Sequence, residues 1–265
     1  MRLRKIVVFG RLLARLVMVD ARGWALKGAL ALDFRLHPRA RTTKDMDLAH
    51  RAGEEHVSTI LRRAQEVDLE DFFVFQVTRT GFHSEDSDEW AQYQVHAELA
   101  ARQFEIVTIH VGLSDQLPWI TESLKVPQLL GFAGIPSVIV PALGLEQHVA
   151  EKVHAYTRTY GRRLIVSTRP KDLVDIVLIC EIGHLSARGL RNALVTTFEQ
   201  RATHTLPTSF PPPPARWTTQ YRRLASEVGI DPDLGAGYNK AAKFINPVIG
   251  GSAKGRWNPV RGAWE

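Results

Sequence analysis

Two aspartates separated by one residue, in the run Thr42-Thr43-Lys44-Asp45-Met46-Asp47-Leu48, are the strongest chemical signal in the chain. On a strand, residues two apart point to the same face, so Asp45 and Asp47 stand side by side. Like charges so placed repel, a cost that a divalent cation between them removes. Mg²⁺ suits such a pair, because it takes one or two carboxylates together with phosphate oxygens and keeps some water. The spacing alone fits a polar strand end equally well. The preceding segment, Trp24-Ala25-Leu26-Lys27-Gly28-Ala29-Leu30-Ala31-Leu32, puts Gly28 at the start of a helical run. A helix N-terminus of that kind binds phosphate through its free backbone N–H groups. Lys27, Arg39, Arg41 and Lys44 surround the acidic pair in sequence with positive charge.

A second group of ionisable residues lies farther along. At 100° per residue, Leu145, Val149, Lys152 and Tyr156 fall on one helical stripe. Lys152 therefore sits in the middle of an apolar face, where a lysine needs an anionic partner. A nucleotide phosphate is one such partner; a lysine snorkelling at a domain edge is the bland alternative. Asp172 and Asp175 follow Pro170 and Lys171 in the first turn of another helical segment, where acids are also favoured by the helix dipole. Cys180, the one cysteine, has Val177 and Ile179 as neighbours and reads as an inert buried thiol.

The elements that must hold these residues form three stretches. Leu12 to Leu32 reads as helix, a break at Gly23-Trp24, then helix again. Strand-like runs follow at Asp45–Leu48, Phe72–Thr78, Gln94–Ala100 and Phe104–Val111, the last nearly continuous and so expected inside its sheet. The polar stretch between Thr80 and Trp90 reads as a hairpin connection. Past Asp115 the pattern turns helical, with Leu145–Tyr160, Lys171–His184, Arg188–Arg201 and Ala215–Val228 as helices and Pro211–Pro214 as an extended spacer. The expectation is an α+β chain: residues 1–115 a small mixed sheet with an early helix pair, residues 116–265 mainly helical.

Composition excludes several classes. The chain has 265 residues, 45% of them hydrophobic, enough for a real core and too many for a disordered or fibrous chain. The apolar stretch Ile6–Val19 is broken by Arg11 and Arg15, short of a membrane span. With one cysteine and too short an apolar run after Met1–Lys5 for a signal peptide, the chain reads as cytoplasmic. Residues 201–265 hold nine Lys and Arg against four Asp and Glu, and so contribute +5 of the +6 net charge. The aromatics Trp217, Tyr221, Tyr238, Phe244, Trp257 and Trp264 lie among them. Such a region reads either as a polyanion platform with stacked bases or as a solvated basic face over an aromatic core.

Taken together, Leu-Lys-Gly-Ala-Leu-Ala-Leu (residues 26–32) and Arg-Thr-Thr-Lys-Asp-Met-Asp-Leu (residues 41–48) resemble the AbiEii/AbiGii family of nucleotidyltransferase toxins, and within it the actinobacterial MenT-type proteins. The helix that carries Ala150-Glu151-Lys152, quoted from Leu145 to Tyr156, and the Arg-x-Lys-Asp-x-x-Asp run from Arg169 to Asp175 are similar to that family's later motifs, in the same order. The resemblance runs from about residue 12 to the end. It implies a nucleotidyltransferase-like core that moves NMP from an NTP to the 3′ end of tRNA, blocking aminoacylation, with a cognate antitoxin and a link to phage defence. It implies Mg²⁺ at Asp45 and Asp47, catalytic roles for Lys152 and Asp172, and nucleotide contacts from Lys27, Gly28, Lys44 and Lys171. A transferase acting on a small molecule or a protein, and an inactive nucleic-acid-binding relative, are the rival expectations. Two positions depart from the family pattern. Ala29 follows Gly28 where a second Gly or a Ser is usual, and His110 stands where related sequences have Asp, with Glu98, Glu105 and Asp172 as other acids to consider.

Overall fold

A computed structural model describes residues 2–36, 43–85, 88–113, 121–160, 165–166 and 169–265. The chain divides into two compact units, the first ending at Leu143 and the second running from Gly144 to Glu265. Arg39, Arg41 and Thr42, singled out above, lie outside the described residues, as does Asp115.

Among the described residues, the first unit is built on seven strands: β1 (Trp24–Lys27), β2 (Asp45–His50), β3 (Phe73–Glu85), β4 (Asp88–Leu99), β5 (Arg102–Leu113), β6 (Thr121–Lys125) and β7 (Ile139–Leu143). Their spatial order is β3-β4-β5-β2-β1-β7-β6, a mixed sheet in which β2 runs parallel to β5 and β1 parallel to β7. Three helices accompany it: α1 (Arg2–Val19), α2 (Gly28–Leu36) and α3 (Glu54–Glu66).

Alternation along the strands separates the sheet's two faces. On β5, Val107, Ile109, Val111 and Leu113 are buried, while Thr108, His110 and Gly112 point the other way and are half-exposed. Phe73, Phe75, Tyr93, Val95 and Ala97 join the buried side, and Phe9, Leu12, Leu13 and Leu16 of α1 and Val57, Ile60 and Leu61 of α3 complete that core. Asp45 and Asp47 belong to the opposite, partly open face.

Several local expectations give way to tertiary pairing. Trp24–Lys27, which falls between the expected break at Gly23-Trp24 and the helical run from Gly28, is a strand held by β2 on one side and β7 on the other. The helix begins one residue later, at Gly28, whose φ of 67° turns the chain. The region past Asp115, expected to be helical, carries β6 and β7; the hairpin they form joins the first sheet through Leu26 and Ala142. The first unit thus extends to Leu143 rather than stopping at residue 115. The polar stretch from Thr80 to Trp90 lies mostly within the long β3–β4 hairpin.

The two arginines that interrupt α1 are buried and paired. Arg15 spans both oxygens of Asp71 at 2.8 and 2.9 Å and also reaches the carbonyls of Phe73 and Val67, while Arg11 meets Asp71 at 2.6 Å. Burial opposes ionisation of Asp71, but donation by Arg15, Arg11 and the Phe73 N–H outweighs it and holds the carboxyl at about 2, below the usual 3.8. A value depressed by folding stabilises the fold fully above pH 3.8, and that contribution is lost as pH falls through about 2. Urea unfolding midpoints should therefore drop across this window in the wild type by more than in Asp71→Asn; equal drops would show that the network carries no such linkage.

The second unit is helical: α4 (Leu145–Thr157), α5 (Pro170–Ile182), α6 (Ala187–Arg201), α7 (Thr218–Val228) and α8 (Leu234–Ile249). Two short strand pairs, β8 (Thr159–Tyr160) with β9 (Ile165–Val166) and β10 (Trp257–Asn258) with β11 (Ala263–Trp264), complete it. Helix α5 is buried nearly all round, from Pro170 through Cys180, as expected of a central helix. Burial pushes the Cys180 thiol well up, which keeps it inert. Pro211–Pro214 is extended, as its prolines require. Asp233 caps α8 by accepting from the Ala236 N–H at 2.7 Å.

Of the two readings of the C-terminal aromatics, the core reading is the one the fold supports. Trp217, Tyr221, Phe244 and Trp257 are buried, and Phe244, Trp257 and Trp264 pack on one another. Arg216, Arg222, Arg223, Lys243, Lys254 and Arg256 remain exposed around them.

Candidate active site

The acidic pair is positioned by the start of β2. The Thr43 hydroxyl donates to the Asp45 carbonyl at 2.9 Å and pins the chain as it enters the strand. Asp45, Asp47 and Ala49 then share one face, beside Thr108, His110 and Gly112 of the parallel strand β5. On the other side, Lys27 of β1 is the antiparallel partner of Asp47.

Around Asp47 the packing is close. A Cβ on Gly28 would lie 2.0 Å from Asp47 Oδ2, and the backbone there is left-handed. Only glycine meets both conditions, and the near neighbour is a carboxylate of the same chain. Across the strand, Asp47 Oδ1 is 3.6 Å from His110 Nδ1, and both side chains are 36% exposed. The Lys27 ammonium reaches over to β5, 3.2 Å from where a Gly112 Cβ would be. Gly112 thus leaves room for that charge. A lone glycine inside an apolar strand is a sign of such an approach, and the sequence reading passed over it. Trp90, also not foreseen, stands edge-on to His110 with ring centres 5.9 Å apart. Lys44 is exposed directly before Asp45, and its carbonyl accepts from Lys5 at 3.5 Å.

The residues expected in the second unit form a cluster of their own. Lys152 is buried at 8% exposure, as its stripe requires, and its partners within the unit are two carboxylates. Nζ lies 3.1 Å from Asp172 Oδ1 and 2.7 Å from Asp175 Oδ2. Arg169 Nε comes within 2.8 Å of the other oxygen of Asp172. The two aspartates are 0% and 1% exposed, so burying them depends on these cations. Asp175 thus shares Lys152 with Asp172, at the shorter distance of the two. Lys171 is exposed on the first turn of α5. Glu98 is exposed and Glu105 lies at the far end of β5 from His110, so His110 is the group on that strand nearest Asp47.

The donor set suits a hard divalent ion. Asp45 and Asp47 offer two carboxylates on one half-open face, and among the described residues no three His, Cys, Asp or Glu side chains form a closed cage. Mg²⁺ needs no such cage, because substrate phosphates and water complete its shell. No described helix is long and apolar enough to cross a membrane.

No curated protein sequence matches the chain. Solved structures similar to it include MenT4, a nucleotidyltransferase toxin from Mycobacterium tuberculosis H37Rv, at 17% identity over 93% of this chain and 91% of that one, with a TM-score of 0.53. JHP933 from Helicobacter pylori is similar over 92% of this chain and 93% of its own, at 14% identity and a TM-score of 0.45. The family profile described as nucleotidyl transferase AbiEii toxin, type IV TA system, matches residues 11–246, and by that match over most of its length the chain belongs to the AbiEii nucleotidyltransferase toxin family.

Proposed function

We propose that the protein transfers NMP from an NTP to the 3′ hydroxyl of tRNA and so blocks aminoacylation. The observation that carries this reading is the Lys27-Gly28 turn set against Asp47, which places an ammonium, the first turn of α2 and two carboxylates on one sheet face. Asp45 and Asp47 would hold a divalent ion, with Mg²⁺ as the family's expected metal, and it would supply neutralisation of charge on the triphosphate. The chain's own groups bind and orient. Lys27 meets phosphate oxygens above Gly112, and Gly28 lets the backbone come close to the carboxylate. Lys44 and Lys171 are nucleotide contacts, and Lys152 and Asp172 carry over as catalytic positions from the family motif. In the transfer, the acceptor oxygen bonds to the α-phosphorus, the bond to the bridging oxygen breaks, and pyrophosphate leaves. Positioning and charge neutralisation supply most of such a rate enhancement.

The exposed basic groups of the C-terminal region support a polyanionic acceptor, whose binding would weaken steeply with salt. Membership in a type IV toxin–antitoxin family supports a cognate antitoxin as partner.

The test is incorporation of each α-labelled NTP into total tRNA with Mg²⁺, beside Asp45→Asn and Asp47→Asn. Label is expected with one or more NTPs and none from either variant. Protein that binds tRNA yet labels nothing with any NTP would overturn the tRNA reading. Label retained by both variants would remove the acidic pair from the chemistry.

A further inference from the structure

This inference rests on the transfer proposed above and concerns what holds the acceptor. Three rings cross the open face of the first unit's sheet on three neighbouring strands. His83 of β3 and Trp90 of β4 are direct partners, their ring centres 5.5 Å apart and their planes tilted by 30°. His110 of β5 stands perpendicular to the indole at 5.9 Å, and its Nδ1 is 3.6 Å from Asp47 Oδ1. The row of rings thus runs from the edge strand to the acidic pair. Trp90 is half-exposed and takes no part in the apolar core on the sheet's other side. Its neighbours along β4 on the same face, Gln92 and Gln94, are amides. Opposite it on β5 is Gly112, which presents no side chain to cover the ring. A half-open indole on a polar strand face, with a glycine opposite, is an aromatic surface that a flat ligand can use.

Direction decides which base that is. The first turn of α2 follows β1 directly, so its free N–H groups lie on the β1 side of Asp47, where they suit the leaving pyrophosphate. In-line displacement sets the attacking oxygen on the opposite side of the α-phosphorus. In the order β4-β5-β2-β1, that is the side of β5 and β4, where Trp90 stands. We infer that Trp90, seated against His83, is the stacking platform for the 3′-terminal base of the RNA acceptor. Stacking accepts any base, because every base has a π-face. The platform therefore positions the acceptor's end and does not read its sequence.

The test is equilibrium binding of two RNAs without NTP or divalent ion, so that no transfer occurs. One is a hairpin with a single-stranded 3′ tail; the other is the same RNA with an abasic final nucleotide. The wild type should prefer the intact RNA by about 5- to 150-fold, the range that one base stacked on an aromatic side chain is worth. Trp90→Ala should bind both RNAs alike. Its binding of each NTP with Mg²⁺ should match the wild type, which also shows that the variant is folded. If Trp90→Ala fails to fold, Trp90→Phe carries the test: its smaller ring should give a preference below that of the wild type, and an equal preference would overturn the inference. No RNA bound by the wild type, equal binding of the two RNAs, or a preference that survives in Trp90→Ala would each overturn it as well. In the last case, weakened NTP binding would assign the ring to the incoming nucleotide instead. Labelling of total tRNA, measured separately, keeps the two readings apart. Transfer without a terminal-base preference overturns this one alone, and the preference without transfer overturns the transfer reading alone.

Discussion

Gly28→Ala should reduce NMP transfer by about 100-fold or more, the scale expected when a catalytic group moves by about an ångström. The added Cβ would fall 2.0 Å from Asp47 Oδ2 and 2.7 Å from its Cγ. The φ of 67° cannot relax without moving the junction of β1 and α2, so Asp47 must turn away. Backbone strain alone would cost about 1–2 kcal/mol for a residue with a Cβ in this conformation. Gly229→Ala separates strain from collision, since Gly229 has nearly the same φ, 69°, with nothing within 4 Å of the new Cβ. Gly28→Ala should lose more thermal stability than Gly229→Ala, by the cost of the collision, and only Gly28→Ala should lose the initial rate of label incorporation. A Gly28→Ala protein with wild-type rate would mean that Asp47 is not held where catalysis requires it.

The second large effect concerns the buried charges of the helical unit. Lys152→Met should destabilise the protein by about 3–5 kcal/mol, because removing one member of a buried ion pair leaves the other without compensation. Here two carboxylates are affected: Asp175 loses a 2.7 Å contact and Asp172 a 3.1 Å one, with Arg169 still beside Asp172. The double variant Lys152→Met/Asp175→Asn removes one of the two carboxylates that lose the ammonium and should recover part of the loss. Urea unfolding at neutral pH measures all three proteins. A Lys152→Met midpoint equal to that of the wild type would show that the pairs contribute nothing to stability and leave Lys152 a purely catalytic reading. A destabilised but folded variant allows its residual activity to be measured below the unfolding transition, which separates the two roles.

What could be read from the residues alone was local and periodic. The two-residue spacing of Asp45 and Asp47 sets them on one strand face whatever surrounds the strand. The 3.6-residue period put Lys152 among apolar neighbours, and its burial follows. Gly28 at a helix start was readable because a glycine before an apolar periodic run marks a turn. Pairing was not readable. Trp-Ala-Leu-Lys has no preference for a strand strong enough to override the helical run that follows it; β2 and β7 decide it by supplying backbone partners on both sides. The same holds for β6 and β7, which join the sheet where β7 meets β1, a strand that ends 112 residues before β7 begins (139 − 27).

Residue type determined which groups could do chemistry here: two carboxylates one residue apart, a glycine before a helix, a lysine on an apolar stripe. Register and packing alone decided what each of them meets. His110 lies opposite Asp47 because β5 pairs with β2 in that alignment, and a shift of one residue would turn the imidazole to the other face. Lys152 meets Asp172 and Asp175 because α4 and α5 pack side by side, bringing together charges twenty and more residues apart. Sequence periodicity carries only the orientation of a side chain within its own element; its partner is set by the long-range contacts that form when the elements bury their apolar faces.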